Sequence, residues 1–361
     1  MRREFLQLAK TYRPGKDKIA GWYASEKLDG TRCFWDGGLS RGLPTADVPW
    51  ASVTDPKTGN RKAKVKPYAT GLWSRYGNPI IAPEEFLDLL PSCPLDGELW
   101  AGRGKFQLCR SICGGDSPDP RFEAIQFAVY GAPPINLVAQ SGEIKNANMV
   151  AKFSLEEIAK WIDERCEKTD FLSLDEDACF DNEIHLLDDL LEGDRVYLHR
   201  QVRLPNSEGE AQEAIEAELN RVLAAGGEGL ILRDGLAHWT PKRVSSLLKF
   251  KPFQDDEGKL VGFTTGRETD KGSKHRGKIG ALILDYNGKR LELSGLTDEE
   301  REFGSASDSE YAFDNPGKDM PVGTKAKHFK VGQKITFIFR EHTDDGIPKE
   351  ARYLRPRDDE E

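Results

Sequence analysis

Polar and apolar positions follow two periods along this chain, and the change of period marks its organisation. The run SLEEIAKWIDERCEK (154–168) places Leu155, Ile158, Ile162 and Cys166 near one face at helical spacing, and Ser154 with Glu157 forms a capping box. A second helix is predicted over GEAQEAIEAELNRVLAAGG, closed by Gly226 and Gly227 as a left-handed cap requires. The short strand GLILRD follows it, and such alternation predicts an α+β body. Beyond Lys251 the period falls to two in KLVGFTTG, GALILDYNG, KRLELSG and QKITFIFRE, four strand-like runs separated by glycine-rich turns. They predict a small barrel of the OB type, with a boundary between Pro252 and Gly258 and domains of 1–253 and 254–361.

Charge changes this picture locally. The whole chain of 361 residues has a formal net charge of -9, which argues against a polyanionic partner unless positive charge is concentrated somewhere. Between Gly37 and Arg75 it is: Arg41, Lys57, Arg61, Lys62, Lys64, Lys66 and Arg75 face only Asp47 and Asp55. Glycine, proline, Trp50, Tyr68 and Trp73 accompany them, a composition expected of an irregular loop lying on a phosphate backbone. A second basic run, GRETDKGSKHRGK, supplies Arg267, Lys271, Lys274, Arg276 and Lys278 between the first two barrel strands. The acidic middle, from about Gly142 to Glu228, reads as scaffold. The six cysteines form no CxxC pair and are expected to be reduced and mostly buried. No apolar run approaches the roughly 20 residues of a membrane span, and the N-terminus is a poor secretory signal, so the expected location is intracellular and cytoplasmic.

Chemistry concentrates first in SEKLDGTR, where Lys27 stands two residues before an Asp-Gly pair and five before Arg32. An ordinary lysine is protonated and cannot attack, so a nucleophilic one needs a cationic neighbour or a dry pocket, and Arg32 is the candidate neighbour. Gly30 is expected to allow a tight turn that Asp29 fixes.

With this motif the chain resembles the small ATP-dependent DNA ligases, members of the covalent nucleotidyltransferases, and further motifs follow in that family's order. The resemblance implies an adenylation domain of mixed antiparallel sheets and helices, then an OB barrel. It makes Lys27 the residue that accepts AMP, within a nucleotide-binding set that includes Ser25, Glu26 and Arg32. WSRYGNPI places Ser74 and Arg75 at the element touching ribose and phosphate, and LDGELWAGRGKF places Asp96, Gly97 and Glu98 on the strand whose glutamate binds ribose or metal. FAVYGAP puts Phe127 where an aromatic ring stacks on adenine, GEGLILR puts Glu228 at the second metal-associated carboxylate, and LLKFKPF supplies Lys249 and Lys251 for the α-phosphate. If those two lysines share a strand, they share a face and together can stabilise charge on the phosphoryl oxygens. Arg352 and Arg355 in the closing segment are candidates for positioning ATP's outer phosphates.

The implied cofactors are ATP and Mg²⁺, with Mn²⁺ expected to substitute, and the implied partner is nicked double-stranded DNA bound by a monomer. The implied reaction joins a 5′-phosphate to a 3′-hydroxyl through lysyl-AMP and DNA-adenylate, in repair, replication or recombination. An NAD-dependent ligase is disfavoured because its nicotinamide-binding and cysteine-rich modules are not recognisable. An RNA ligase or capping-type nucleotidyltransferase shares the lysine chemistry, and an inert OB-fold binder is the reading from another class. Segments near 37–73, 142–225 and 303–325 exceed the family's spacing. Only 26 residues precede Lys27, so the basic segment is expected to do the work of the helical DNA-binding domain of larger ligases.

Overall fold

The computed structural model describes residues 5–53, 65–140, 154–167, 170–268, 274–343 and 345–356, and divides into two compact units, Met1–Phe250 and Lys251–Glu361. In chain order the first unit opens with β1 (Leu8–Thr11), β2 (Tyr23–Glu26), β3 (Thr31–Asp36), β4 (Leu72–Ser74), α1 (Glu84–Leu87), β5 (Pro94–Trp100), α2 (Phe106–Cys113) and β6 (Gln126–Gly131). It continues with α3 (Ile135–Gln140), α4 (Leu155–Cys166), α5 (Phe180–Leu190), β7 (Val196–Leu198), β8 (Val202–Arg203), α6 (Glu208–Ala224), β9 (Leu230–Arg233) and β10 (Arg243–Phe250).

Two five-stranded mixed sheets result. The first runs β1-β10-β9-β2-β8 and the second β4-β3-β5-β6-β7; β1 with β10 and β6 with β7 are parallel, the other pairs antiparallel. Alternation along each strand sends one set of side chains into a core. Ala24, Leu230, Leu232 and Leu248 of the first sheet pack on Ala211, Ile215, Leu219 and Val222 of α6. Cys33, Leu95, Leu99, Phe127 and Val129 of the second pack with Phe86, Cys109, Ile112 and Leu187 from α1, α2 and α5. The opposite face of the second sheet is covered at Phe34 and Trp73 by a further core with Trp50 and Trp161, and Arg32 and Glu98 lie beyond it on that face.

Both helices anticipated from the pattern are present. In α4 the Ser154 hydroxyl accepts from the Glu157 N–H at 3.2 Å while Glu157 accepts from the Ser154 N–H at 2.6 Å. Gly226 ends α6 at φ +77°, where a side chain would be strained. The aromatic residues of the basic segment are a correction: Trp50 and Trp73 are fully buried, stacked edge to face at 6.3 Å, and Trp50 meets Trp161 of α4 in the same way. Rings of this area bring more energy to a core than to a solvated loop. Tyr68, 61% exposed, remains outside. Lys57, Arg61, Lys62 and Lys64 lie outside the described residues.

The second unit carries β11 (Gln254–Thr265), β12 (Ile279–Tyr286), β13 (Lys289–Leu293), α7 (Ala306–Asp314), β14 (Lys334–Phe339), β15 (Glu341–His342), β16 (Pro348–Lys349) and β17 (Arg352–Pro356). Its main sheet, β13-β12-β11-β14-β17, is antiparallel throughout, and a parallel bridge between Ser294 and Arg352 joins its two edges. Joining the edges turns the sheet into a barrel, filled by Leu260, Phe263, Leu282, Leu284, Ile335 and Phe337. Of the second basic run, Lys274 pairs with Asp298 at 2.9 Å and Arg276 covers the Phe313 ring at 4.2 Å, while Lys271 is outside the described residues. All six cysteines are free, and Cys33, Cys93, Cys109 and Cys113 are buried.

Candidate active site between the two sheets

The candidate residues collect at the ends of β2 and β9 of the first sheet and on β3, β5 and β6 of the second, on the sides turned away from the α6 core and from the core behind the second sheet. Lys27 follows β2, and its backbone N–H donates to Gly229 O at 2.8 Å, which ties it to the start of β9. Its ammonium meets the Glu228 carboxylate in a partly buried ion pair. From the second sheet come Arg32 on β3, Asp96 and Glu98 on β5, and Tyr130 on β6. The register sets Arg32 opposite Glu98, while Arg75 lies just past β4 in the turn closed by the Gly77 N–H donating to Ser74 O at 2.8 Å. Arg75 itself stacks on the Tyr76 ring at 4.7 Å. From the first sheet, Ser25, Ile231 and Lys249 are laterally paired neighbours on adjacent strands.

Three contacts fasten the sheets around this space. Arg32 Nη1 donates to Gln7 O, just before β1, at 2.7 Å, and Arg233 Nη1 on β9 donates to Tyr130 O at 2.9 Å. His199, beyond β7, donates from Nε2 to Glu26 O at 2.8 Å; burial pushes this imidazole below its ordinary pKa and keeps it neutral. Glu26 also takes both arms of Arg103, at 2.8 and 2.6 Å, so its side chain is committed to that pair.

Several expectations are corrected by this geometry. Arg32 does not act as a free cation beside Lys27. Its guanidinium forks onto Asp96, Nε to Oδ1 at 3.0 Å and Nη2 to Oδ2 at 2.6 Å. Burial works against its charge, but Asp96, with Tyr130 and Glu98 behind it, offsets this and the guanidinium stays above its ordinary pKa. The carboxylate that pairs directly with Lys27 is Glu228, and Lys27 also acts on Glu98. The chain bends at Gly30 between β2 and β3, and glycine is required there because a Cβ would stand 2.3 Å from Leu99 O and 2.9 Å from Glu98 Cγ. That close approach brings the Gly30 N–H to Glu98 Oε1 at 3.2 Å.

Phe127 is also corrected. It is 0% exposed, and its ring lies in the core behind the second sheet. Tyr130, three residues on, takes the other face, its hydroxyl 3.5 Å from Glu98 Oε2 and its ring 5.9 Å from the Arg32 guanidinium. The β5–β6 register shifts at Tyr130, and its contacts with Glu98 and Arg32 put this ring on the side of the sheet away from Phe127. Tyr130→Ala is expected to weaken ATP binding about tenfold with little loss of stability, whereas Phe127→Ala costs about 3–5 kcal/mol in denaturant unfolding. Finally, β10 ends at Phe250, so Lys251 does not share a strand face with Lys249; Pro252 has no N–H to extend the ladder, and Lys251 opens the second unit. Arg352 and Arg355 lie exposed on β17 of that unit.

Burial pushes the Glu98 carboxyl up to about 7, while Lys27 and then Arg32 pull the other way. A carboxyl whose folded pKa exceeds its unfolded value of about 4.3 favours the fold below pH 4 and loses that contribution as pH rises through 7. Glu98→Gln is therefore expected to gain stability on wild type as pH goes from 5 to 8, by roughly 1–3 kcal/mol in urea unfolding. Equal differences at both pH values would contradict this.

Glu98 and Glu228 approach Lys27 from the two sheets, and among the described residues no group of three His, Cys, Asp or Glu side chains is placed to hold a metal. Two carboxylates without a third would suit Mg²⁺ only with oxygen ligands from elsewhere, such as phosphates or water.

The first unit thus sets a lysine among carboxylates and arginines between two mixed sheets, and a closed five-stranded barrel forms the second. Residues 271–357 match the family model of the DNA ligase OB-like domain. The DNA ligase of Haemophilus influenzae is 22% identical over 353 residues, covering 98% of this chain and 92% of that protein. A solved Lig E DNA ligase, from work on DNA binding with a minimal scaffold, aligns over 98% of both chains at 24% identity and TM-score 0.59. A solved structure named Pmar-Lig_PreS3 aligns over 98% of this chain and 68% of that one at 16% identity and TM-score 0.53. The resemblance to the small ATP-dependent DNA ligases thus extends along the chain, which has the fold of the minimal Lig E type. No helix among the described residues is long and apolar enough to cross a membrane.

Proposed function

We propose that this protein is an ATP-dependent DNA ligase that seals 5′-phosphate/3′-hydroxyl nicks through AMP bound covalently to Lys27. The observation that carries this reading is the pairing of Lys27 with Glu228 beside the cluster of Arg32, Glu98 and Tyr130, with Lys249 two strands from Ser25 on the first sheet. Glu228, in contact with Nζ, accepts its proton as the lone pair attacks the α-phosphorus. The bond from that phosphorus to the bridging oxygen breaks, pyrophosphate leaves with the electron pair, and a lysyl phosphoramidate forms. Lys249 offers its cation to the phosphoryl oxygens, and Tyr130 and the Arg32–Asp96 fork shape the nucleoside pocket. Glu98 and Glu228 would hold Mg²⁺, directly or through water, and the ion would supply charge neutralisation for the leaving pyrophosphate. An oxygen of the 5′-phosphate at the nick next displaces Lys27 from the adenylate phosphorus. The 3′-hydroxyl then attacks the 5′-phosphorus and expels AMP.

Incubation with α-labelled ATP and Mg²⁺ should leave label on the denatured chain, and the same protein should seal a nicked duplex. Label without sealing of DNA would move the reading to RNA ends. Absence of label from protein shown by mass to carry no AMP would overturn it.

The basic segment is proposed as the duplex contact. Removing residues 41–66 as a block is a poor test, because Val48, Trp50 and Ala51 belong to the core. Converting Lys57, Arg61, Lys62 and Lys64 to Gln should instead weaken nicked-duplex binding and reduce its salt slope by up to about four, while lysine labelling is unchanged. An unaltered salt dependence would assign DNA contact elsewhere.

A further inference from the structure

The acidic stretch before Glu228, legible in the sequence only as scaffold, sends one buried carboxylate toward the nucleotide cleft. Glu183 on α5 is 2% exposed, and its Oε2 accepts the Ala132 N–H at 2.7 Å. Arg233 on β9 is 7% exposed and donates to Tyr130 O. Both groups press on Gly131 at the end of β6: a Cβ there would stand 3.0 Å from Glu183 Oε2 and 3.3 Å from Arg233 Nη1. Phe180, in the first turn of α5, lies 4.3 Å beneath the Arg233 guanidinium and packs edge to face on Tyr23 of β2 at 5.5 Å. The same turn is anchored to the chain after β9, with the Phe180 N–H donating to Ala237 O at 3.1 Å and the Asp181 N–H to Gly235 O at 2.9 Å.

We propose that Glu183 and Arg233 are positioning residues for the nucleotide pocket: Glu183 and Phe180 hold the guanidinium, and the guanidinium holds Tyr130 against Arg32 and Glu98. A buried cation is costly to leave without counter-charge; burial pulls the Arg233 pKa down, Glu183 and then Asp96 work against that, and Glu183 and the guanidinium meet across Gly131. The Arg233–Tyr130 bond also crosses from one sheet to the other, so this cluster fixes the width of the cleft where an aromatic ring meets the base. This inference rests on the nucleotide-binding reading above, not on the identity of the nucleic-acid end.

The test compares wild type, Glu183→Gln, Arg233→Gln and the double variant, using ATP affinity from equilibrium binding and the ATP dependence of single-turnover lysine labelling. The amide introduced by Glu183→Gln keeps an acceptor for the Ala132 N–H but loses the charge that holds Arg233. Glu183→Gln should raise both the Kd for ATP and the ATP concentration for half-maximal labelling about tenfold, leaving the saturated labelling rate within about twofold. The double variant should bind ATP no more weakly than Arg233→Gln alone, because Glu183 acts only through Arg233. Unchanged affinity in a folded Glu183→Gln protein would overturn the proposal, as would a fall in saturated rate and thermal stability with affinity intact. Should Arg233→Gln fail to fold, the affinity-against-rate split in Glu183→Gln decides alone. Failure of wild type to be labelled would count against the covalent reading, while the Kd comparison would still judge the positioning residues.

Discussion

Lys27→Ala should take up no label from α-labelled ATP and should lose nick sealing by on the order of 10⁴-fold or more, the scale on which removal of a covalent nucleophile acts. Lys27→Arg is expected to fare no better, although it preserves a cation opposite Glu228. A guanidinium does not give up its proton in a protein, so it has no lone pair with which to attack. The arrangement around Lys27 makes the loss specific to early steps. The final displacement at the nick needs the cleft and a 3′-hydroxyl but no lysine, so Lys27→Ala given pre-adenylylated nicked DNA should still seal it. Retention of that step together with loss of label would separate the nucleophile from a general folding defect. A variant that kept its label would move the attachment to another side chain.

The motifs were legible because each joins a backbone requirement to a charged group at fixed spacing. Gly30 must be glycine to let Glu98 approach, and Glu228 stands at the start of β9, where Lys27's own N–H is tied. Period-two runs likewise disclosed β11, β12, β13 and β14, since each presents one buried face. The fifth barrel strand, Arg352–Pro356, escaped notice because most of it is exposed and its alternation is weak. Parity was the harder matter. Phe127 and Tyr130 both belong to β6, and motif order alone does not say which ring turns to the core; the partners on β5 decide that, and they are distant in sequence. The same limit hid Glu183 and Arg233, fifty residues apart and joined only through Gly131, and it hid the burial of Trp50 and Trp73 within a segment whose lysines and glycines read as loop.

Asp96→Ala is the substitution expected to damage the fold most among the site residues. Asp96 is 2% exposed and takes both arms of Arg32, whose remaining Nη1 bond to Gln7 O links the second sheet to the strand entering the first. Removing the carboxylate leaves a buried guanidinium without its counter-charge, a change that costs about 3–5 kcal/mol where such pairs are broken from one side. Asp96→Asn should cost less, because one oxygen still accepts from the fork, though without the charge. Arg32→Gln together with Asp96→Asn should recover much of the stability lost in Asp96→Ala, since neither partner then demands compensation. Activity should follow a different order. Both single variants and the double variant should label poorly with ATP, because the guanidinium that faces Tyr130 and Glu98 is displaced or absent in all three. Urea unfolding beside single-turnover labelling reads the two quantities on the same samples. Parallel recovery of labelling with stability in the double variant would mean that Arg32 serves the fold alone, and would leave Lys249 as the cation for the phosphoryl group in the first unit.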